Sequence, residues 1–189
     1  MKSRILVLLF LSLFQCSVFA VERETFFDPA ETTHGGFGGP VLRMGEVGGD
    51  NLYGVGGKGA WLINHTFYLG GAVYGGYFES GDTKNVLAYS GMMLGFIGLP
   101  HKTVHYTLEL LIADGDLIDI EDFDSDIANA GDSLIVLEPS AYLSINLSSF
   151  STLNIGVSYR FVSGSETENL SNGDLSGVTG EINVMFGKF

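Results

Sequence analysis

SLIVLEPSAYLSINLSSFSTLNIGVSYRFV, residues 133–162, contains two stretches of strict alternation around a short break at Ser148-Ser149-Phe150. In the second stretch Leu153, Ile155, Val157, Tyr159 and Phe161 share one side, and Asn154, Gly156, Ser158 and Arg160 share the other. In the first, Ile135, Leu137, Ala141, Leu143 and Ile145 oppose Glu138, Ser140, Tyr142, Ser144 and Asn146. Successive side chains of a strand point to opposite faces, so each stretch reads as a strand with one apolar and one polar face. So short a break joins antiparallel neighbours.

Working outward, the same signals predict six more strands: residues 36–47, 52–63, 66–78, 86–98, 103–113 and 177–189. In residues 103–113, Val104, Tyr106, Leu108, Leu110 and Ile112 oppose His105, Thr107 and Glu109, with Leu111 breaking the polar side. In residues 52–63, Val55, Trp61 and Ile63 oppose Lys58. The connections GGDN, NH, ESGDTKN, LPHK, residues 114–132, SSF and SGSETENLSNGDLS follow in order. The second, fourth and sixth are tight and the large ones are odd-numbered. An even number of strands, each long enough to cross a bilayer at a tilt, with loops sorted by length, predicts an all-β fold: an eight-stranded antiparallel transmembrane up-and-down β-barrel. Closure satisfies every backbone hydrogen bond without leaving an edge. The apolar faces then meet lipid and the polar faces meet the lumen.

The N-terminus fits an exported chain. Lys2 and Arg4 precede an apolar run, and Val18 and Ala20 satisfy the small-residue rule for cleavage. Residues 1–20 are expected to be a signal peptide, residues 21–34 a periplasmic lead-in segment and residues 35–189 the barrel domain. The lone Cys16 follows Gln15 rather than a small residue, which disfavours a lipoprotein, and cleavage after Ala20 removes it. No cysteine then remains for a disulfide, thiolate nucleophile or metal site. Cleavage leaves 7 basic against 22 acidic residues, a net charge of −15. Nucleic acid is excluded as a partner for such a surface.

Parity places Lys58, Glu109, Glu138, Arg160 and Glu181 on the lumen side, and Arg43 joins them as the sixth member. Three bases against three acids make a balanced interior ionic network, as burial of charge requires. Trp61, Phe67, Phe96, Tyr106 and Phe150 stand where strands meet the tight turns, the position of a periplasmic aromatic girdle. The connection DGDLIDIEDFDSDIANAGD, residues 114–132, is acidic, with Leu117, Ile118, Ile120, Phe123 and Ile127 interleaved. Asp122, Asp124 and Asp126 have the alternating spacing of many calcium loops and are the candidate Ca²⁺ ligands. The turn glycine and the closing Glu of an EF-hand are absent. His65, His101 and His105 gather at the tight-turn end but lack a metal spacing such as HExxH. There is no GxSxG elbow, and Ser144, Ser158, His105 and Glu138 are not brought together by spacing. No catalytic residue and no cofactor is predicted.

The stretches FGGPVLRMGEV, GVGGKGAWLINHTFYLGGAVYGG and the closing FGKF give the chain a resemblance to the small eight-stranded outer-membrane β-barrels of Gram-negative bacteria. It most resembles an uncharacterised glycine-rich barrel group among them. The resemblance implies residence in the outer membrane, contact with its lipids, and a C-terminal aromatic strand read by the barrel-assembly machinery. Phe189, however, lies off the apolar phase of Val178, Ile182, Val184 and Phe186. The resemblance carries over no catalytic residue. A monomer with an envelope-structural or surface-interaction role is the expected function, its extracellular partner unassigned. A lipid A deacylase-like enzyme would need a Ser-His-acid cluster at the lipid rim, and a soluble lipocalin-like carrier would need the reverse polarity of faces.

Overall fold

The computed structural model describes residues 32–81, 83–119, 134–164 and 171–189. Eight strands follow one another: β1 His34–Val47, β2 Asp50–Ile63, β3 Phe67–Ser80, β4 Thr83–Gly98, β5 Val104–Asp119, β6 Leu134–Ser148, β7 Ser151–Ser163 and β8 Gly177–Lys188. A single helical turn, α1 Asn172–Leu175, precedes β8. Each strand pairs antiparallel with its sequence neighbours, and β1 pairs with β8, closing the barrel. The expected signal peptide and most of the expected lead-in lie outside the described residues.

Two expectations about connections change. ESGDTKN is not a loop: β3 runs to Ser80 and β4 begins at Thr83. Glu79 stands opposite Lys84 on the outer face, and such an opposite-charge pair supports continued pairing. Gly81, with φ 61°, turns the chain. The size asymmetry is therefore carried by the β5–β6 and β7–β8 connections alone. The acidic stretch also begins as strand: β5 extends to Asp119. Asp114 and Asp116 keep the outward parity of Ile112, so the outer face of β5 changes from apolar to acidic between Ile112 and Asp114.

Outward parity carries exposed apolar side chains on every strand, among them Leu42, Val55, Val73, Met92, Leu108, Leu143, Val157 and Ile182. An apolar exterior around a closed sheet is the arrangement a bilayer stabilises and water does not. At one end of this band Phe67 stands opposite Phe96, with ring centroids 5.4 Å apart, and Tyr106 continues the row 6.2 Å from Phe96. Trp61 packs 5.3 Å from His34, and Phe150 projects from the β6–β7 turn. Tyr53, Tyr77, Tyr159 and Phe161 face outward toward the other end.

The glycines explain how so narrow a cylinder holds large side chains. Four inward tyrosines each face a glycine directly across the ladder: Tyr68 faces Gly95, Tyr74 faces Gly56, Tyr89 faces Gly115, and Tyr142 faces Gly156. A Cβ at Gly95 would stand 2.0 Å from Tyr68 Cζ, and one at Gly56 would stand 2.4 Å from Tyr74 Cδ1. The rings lie over bare backbone, the pairing by which aromatics compensate strand glycines.

Candidate functional site: the lumen and its two ends

At mid-height the inward side chains form two ion clusters. Arg43 reaches from β1 to the Glu138 carboxylate on β6 and to the Glu181 carboxylate on β8, the latter at 2.8 Å. Its guanidinium also bonds the Tyr89 hydroxyl and donates to Ser158 Oγ at 3.1 Å. The guanidinium lies 4.2 Å from the Tyr74 ring centroid, in cation–π range. Tyr89 in turn donates to Glu138 Oε2 at 2.7 Å. Nearer the tight-turn end, Lys58 Nζ on β2 donates to both Glu109 oxygens at 2.9 Å, and Tyr68 donates to Glu109 Oε2 at 2.6 Å. Tyr142 joins the two clusters: its hydroxyl donates to Glu181 Oε2 at 2.6 Å and accepts from Lys58 at 3.2 Å. Charges this deeply buried persist only when paired and hydrogen-bonded, and each carboxylate here has both.

Arg160 stands apart from these pairs. It shares the inward face of β7 at the level of Glu138, bracketed by the Ser140–Ser158 and Leu137–Phe161 partners. Yet its Nε donates to the Leu175 carbonyl at 2.8 Å and its Nη2 to the Glu46 carbonyl at 3.2 Å. It is 0% exposed. The single residue therefore ties β7, the end of β1 and the last residue of α1 together. Gly48 N–H donates to the Asp174 carbonyl at 2.8 Å and Val162 N–H to Ser176 Oγ at 2.9 Å, which fixes the same connection to the rim. Leu175, wholly buried, caps an apolar layer that includes Val47, Leu52, Phe78, Leu87, Leu134 and Val136. The α1 turn holds its place through a capping box in which Ser171 and Asp174 bond reciprocally. Those bonds hold the Asp174 carboxyl below its ordinary range.

The tight-turn end is built differently. A cavity of about 260 Å³ opens there, lined by residues of three turns, among them His65, His101 and Ser149, with Leu62, Ile97, His105 and Phe189 deeper. Phe189 turns inward and stacks on Phe37 with ring centroids 5.5 Å apart, consistent with its place off the apolar phase. A smaller recess continues inward to Lys58, Tyr68 and Tyr142.

Parity in the sequence placed the six charged residues but missed their phenol partners. Tyr142 was legible on the polar face of β6. Tyr68, Tyr74 and Tyr89 were not, because both faces of β3 and β4 mix glycine with apolar residues. Asp122, Asp124 and Asp126 lie outside the described residues. Ser144 stands directly opposite His105 in the β5–β6 ladder, but the hydrogen bond its Oγ makes is to Thr107 Oγ1 at 2.9 Å; Ser158 meets Arg43 and Glu181.

The molecule is thus a closed eight-stranded antiparallel β-barrel with an apolar exterior. Among solved structures it is similar to Neisserial surface protein A, with a TM-score of 0.55 and 13% identity over 84% of this chain and 99% of that one. It is likewise similar to the outer membrane protein OprG from Pseudomonas aeruginosa, with a TM-score of 0.54 and 7% identity over 82% of this chain and 95% of that one. At such identities the likeness is one of fold. No protein-family model matches the chain, and no curated protein matches it.

Proposed function

We propose that the chain is a non-enzymatic, monomeric, integral outer-membrane barrel with an envelope-structural or surface-interaction role. The observation that carries this reading is the pairing of an apolar exterior with an interior whose carboxylates and cations are bonded to one another or to backbone. Such an interior specifies register and fills the lumen at mid-height. In this reading residues 1–20 direct export, and the tight turns face the periplasm beneath a girdle of Trp61, Phe67, Phe96, Tyr106 and Phe150. The larger, acidic connections face outward, where an external partner would meet them. Within the glycine-rich opening that suggested the narrower barrel group, Gly56 serves the tyrosine packing described above.

A lipocalin-like carrier would require a polar exterior, and this exterior is apolar. A deacylase would require its serine at the lipid rim, whereas Ser144 and Ser158 are buried inward. Cell fractionation with a heat-modifiability gel tests the proposal. The protein is expected in the outer-membrane fraction, migrating faster unheated than boiled. Recovery in the soluble periplasm would refute it. An altered lipid A mass profile on expression would overturn the non-enzymatic reading separately.

A further inference from the structure

The ion clusters leave three histidines unused. The fold brings His65 in the β2–β3 turn, His101 in the β4–β5 turn and His105 near the start of β5 to the walls of one cavity. The His65 and His101 rings face each other with centroids 6.2 Å apart and planes at 56°. Their turns are neighbours on the rim, where Ile97 N–H donates to the Thr66 carbonyl at 2.7 Å.

His65 also occupies a position its turn does not favour. Asn64 and His65 have φ of 51° and 54°. Two consecutive left-handed residues form the two-residue hairpin turn whose second place ordinarily takes glycine. A histidine there strains the backbone, yet its ring is only half-buried.

We propose that His65 and His101 bind a divalent transition-metal ion of the Zn²⁺ type at the mouth of this cavity, through one ring nitrogen each. Imidazole suits zinc, copper and nickel. Metal–nitrogen bonds of about 2.0–2.1 Å place two rings on one ion with centroids on the order of 5–6 Å apart. The 6.2 Å observed lies just outside that range. Among the described residues no three histidine, cysteine or acidic side chains form a group that could hold a metal ion. The described residues therefore supply two ligands, and water completes the sphere on the side facing the cavity. His105, whose Nδ1 has no hydrogen-bond partner among the described residues, borders that open side without being counted as a ligand.

The test is a calorimetric Zn²⁺ titration of the untagged, folded barrel in detergent, alongside His65→Gly, His101→Asn and His34→Asn. One saturable Zn²⁺ per barrel is expected. His65→Gly and His101→Asn should each weaken binding at least tenfold, while His34→Asn leaves it unchanged. His65→Gly relieves the turn, so its thermal stability should be equal or higher even as binding is lost. That result separates the metal role from a folding role, and the heat-modifiable gel shift verifies that each variant is folded. Absence of saturable binding to the folded wild type would overturn the proposal. So would an affinity that neither His65→Gly nor His101→Asn changes.

Discussion

Lys58 and Arg160 are both buried cations in one lumen, and they are held by different kinds of partner. Lys58 meets a side chain, the Glu109 carboxylate, in a bidentate contact. Arg160 meets main chain, the carbonyls of Leu175 and Glu46. A pair made of two side chains can be deleted as a pair. A contact made with carbonyls cannot, because the backbone acceptors stay whatever the sequence becomes. The first holds two strands in register across the lumen. The second fastens a connection over the barrel's end.

The largest effect should come from breaking the side-chain pair on one side only. Lys58→Met leaves Glu109 buried without its cation and should cost about 3–5 kcal/mol. Adding Glu109→Leu should return most of that loss, since an apolar pair of similar volume is often neutral. Urea unfolding in detergent, followed by Trp61 fluorescence, reads both. A double variant as unstable as the single would dissolve the contrast. Arg160→Met should cost about 2–3 kcal/mol by stranding two carbonyls. No partner substitution is expected to restore it: Arg160→Met with Glu138→Gln should be no more stable than Arg160→Met alone. Protease cleavage in the β7–β8 connection should speed up at the same time.

A smaller effect separates glycines that accommodate a ring from those that do not. Gly95→Ala drives a methyl into Tyr68 and so disturbs the Lys58–Glu109 cluster, at about 1–3 kcal/mol. Gly75→Ala, on the outward face with nothing within 4 Å, should leave the unfolding midpoint unchanged or slightly raised. Equal losses at both sites would remove the steric explanation.

The smallest effect concerns acid. The Asp174 carboxyl is held below its usual 3.8 by its bonds to Ser171. A lowered folded-state pKa contributes stability that is fully present above the unfolded value and lost as pH falls through the lowered one. Exchange of the Gly48 amide, which donates to the Asp174 carbonyl, should therefore show constant protection from pH 8 to 5. Protection should fall only below about pH 4. Loss of Gly48 protection already near pH 6 would assign the rim's acid response to another group.

How much of this was legible beforehand depends on the strand. Through the middle of β5, β6 and β7 the two faces differ in polarity, so parity alone separated an apolar face from a polar one, while closure was argued from strand count and loop lengths. In β3 and β4 glycine occupies both faces, and alternation says nothing about which tyrosines turn inward. The ESGDTKN stretch looked like a loop because it is polar. It is polar because strands β3 and β4 continue beyond the apolar band, where a polar outer face is the appropriate one. Parity assigned Arg160 to an ionic network in the lumen, and the structure places it there bonded to main chain. Its partners were unreadable, because a backbone carbonyl carries no signature in sequence and the connection supplying it folds back from 15 residues on. The histidine cavity was visible only as three residues sharing one end; the distance between rings is set by turn geometry.

The tyrosine–glycine pairs act as a proofreading device for alignment. A slip of one residue between neighbouring strands turns a polar, charged face outward into the apolar band and strands its partners inside. A slip of two keeps every face correct and would otherwise pass unnoticed. Here it would set Tyr68 against Met93 or Ile97 in place of Gly95, and Tyr142 against Asn154 or Ser158 in place of Gly156. Each ring would then strike a side chain where it needs bare backbone. Four such checks lie on four different seams of the cylinder, so a misaligned closure fails at the seam where it occurs.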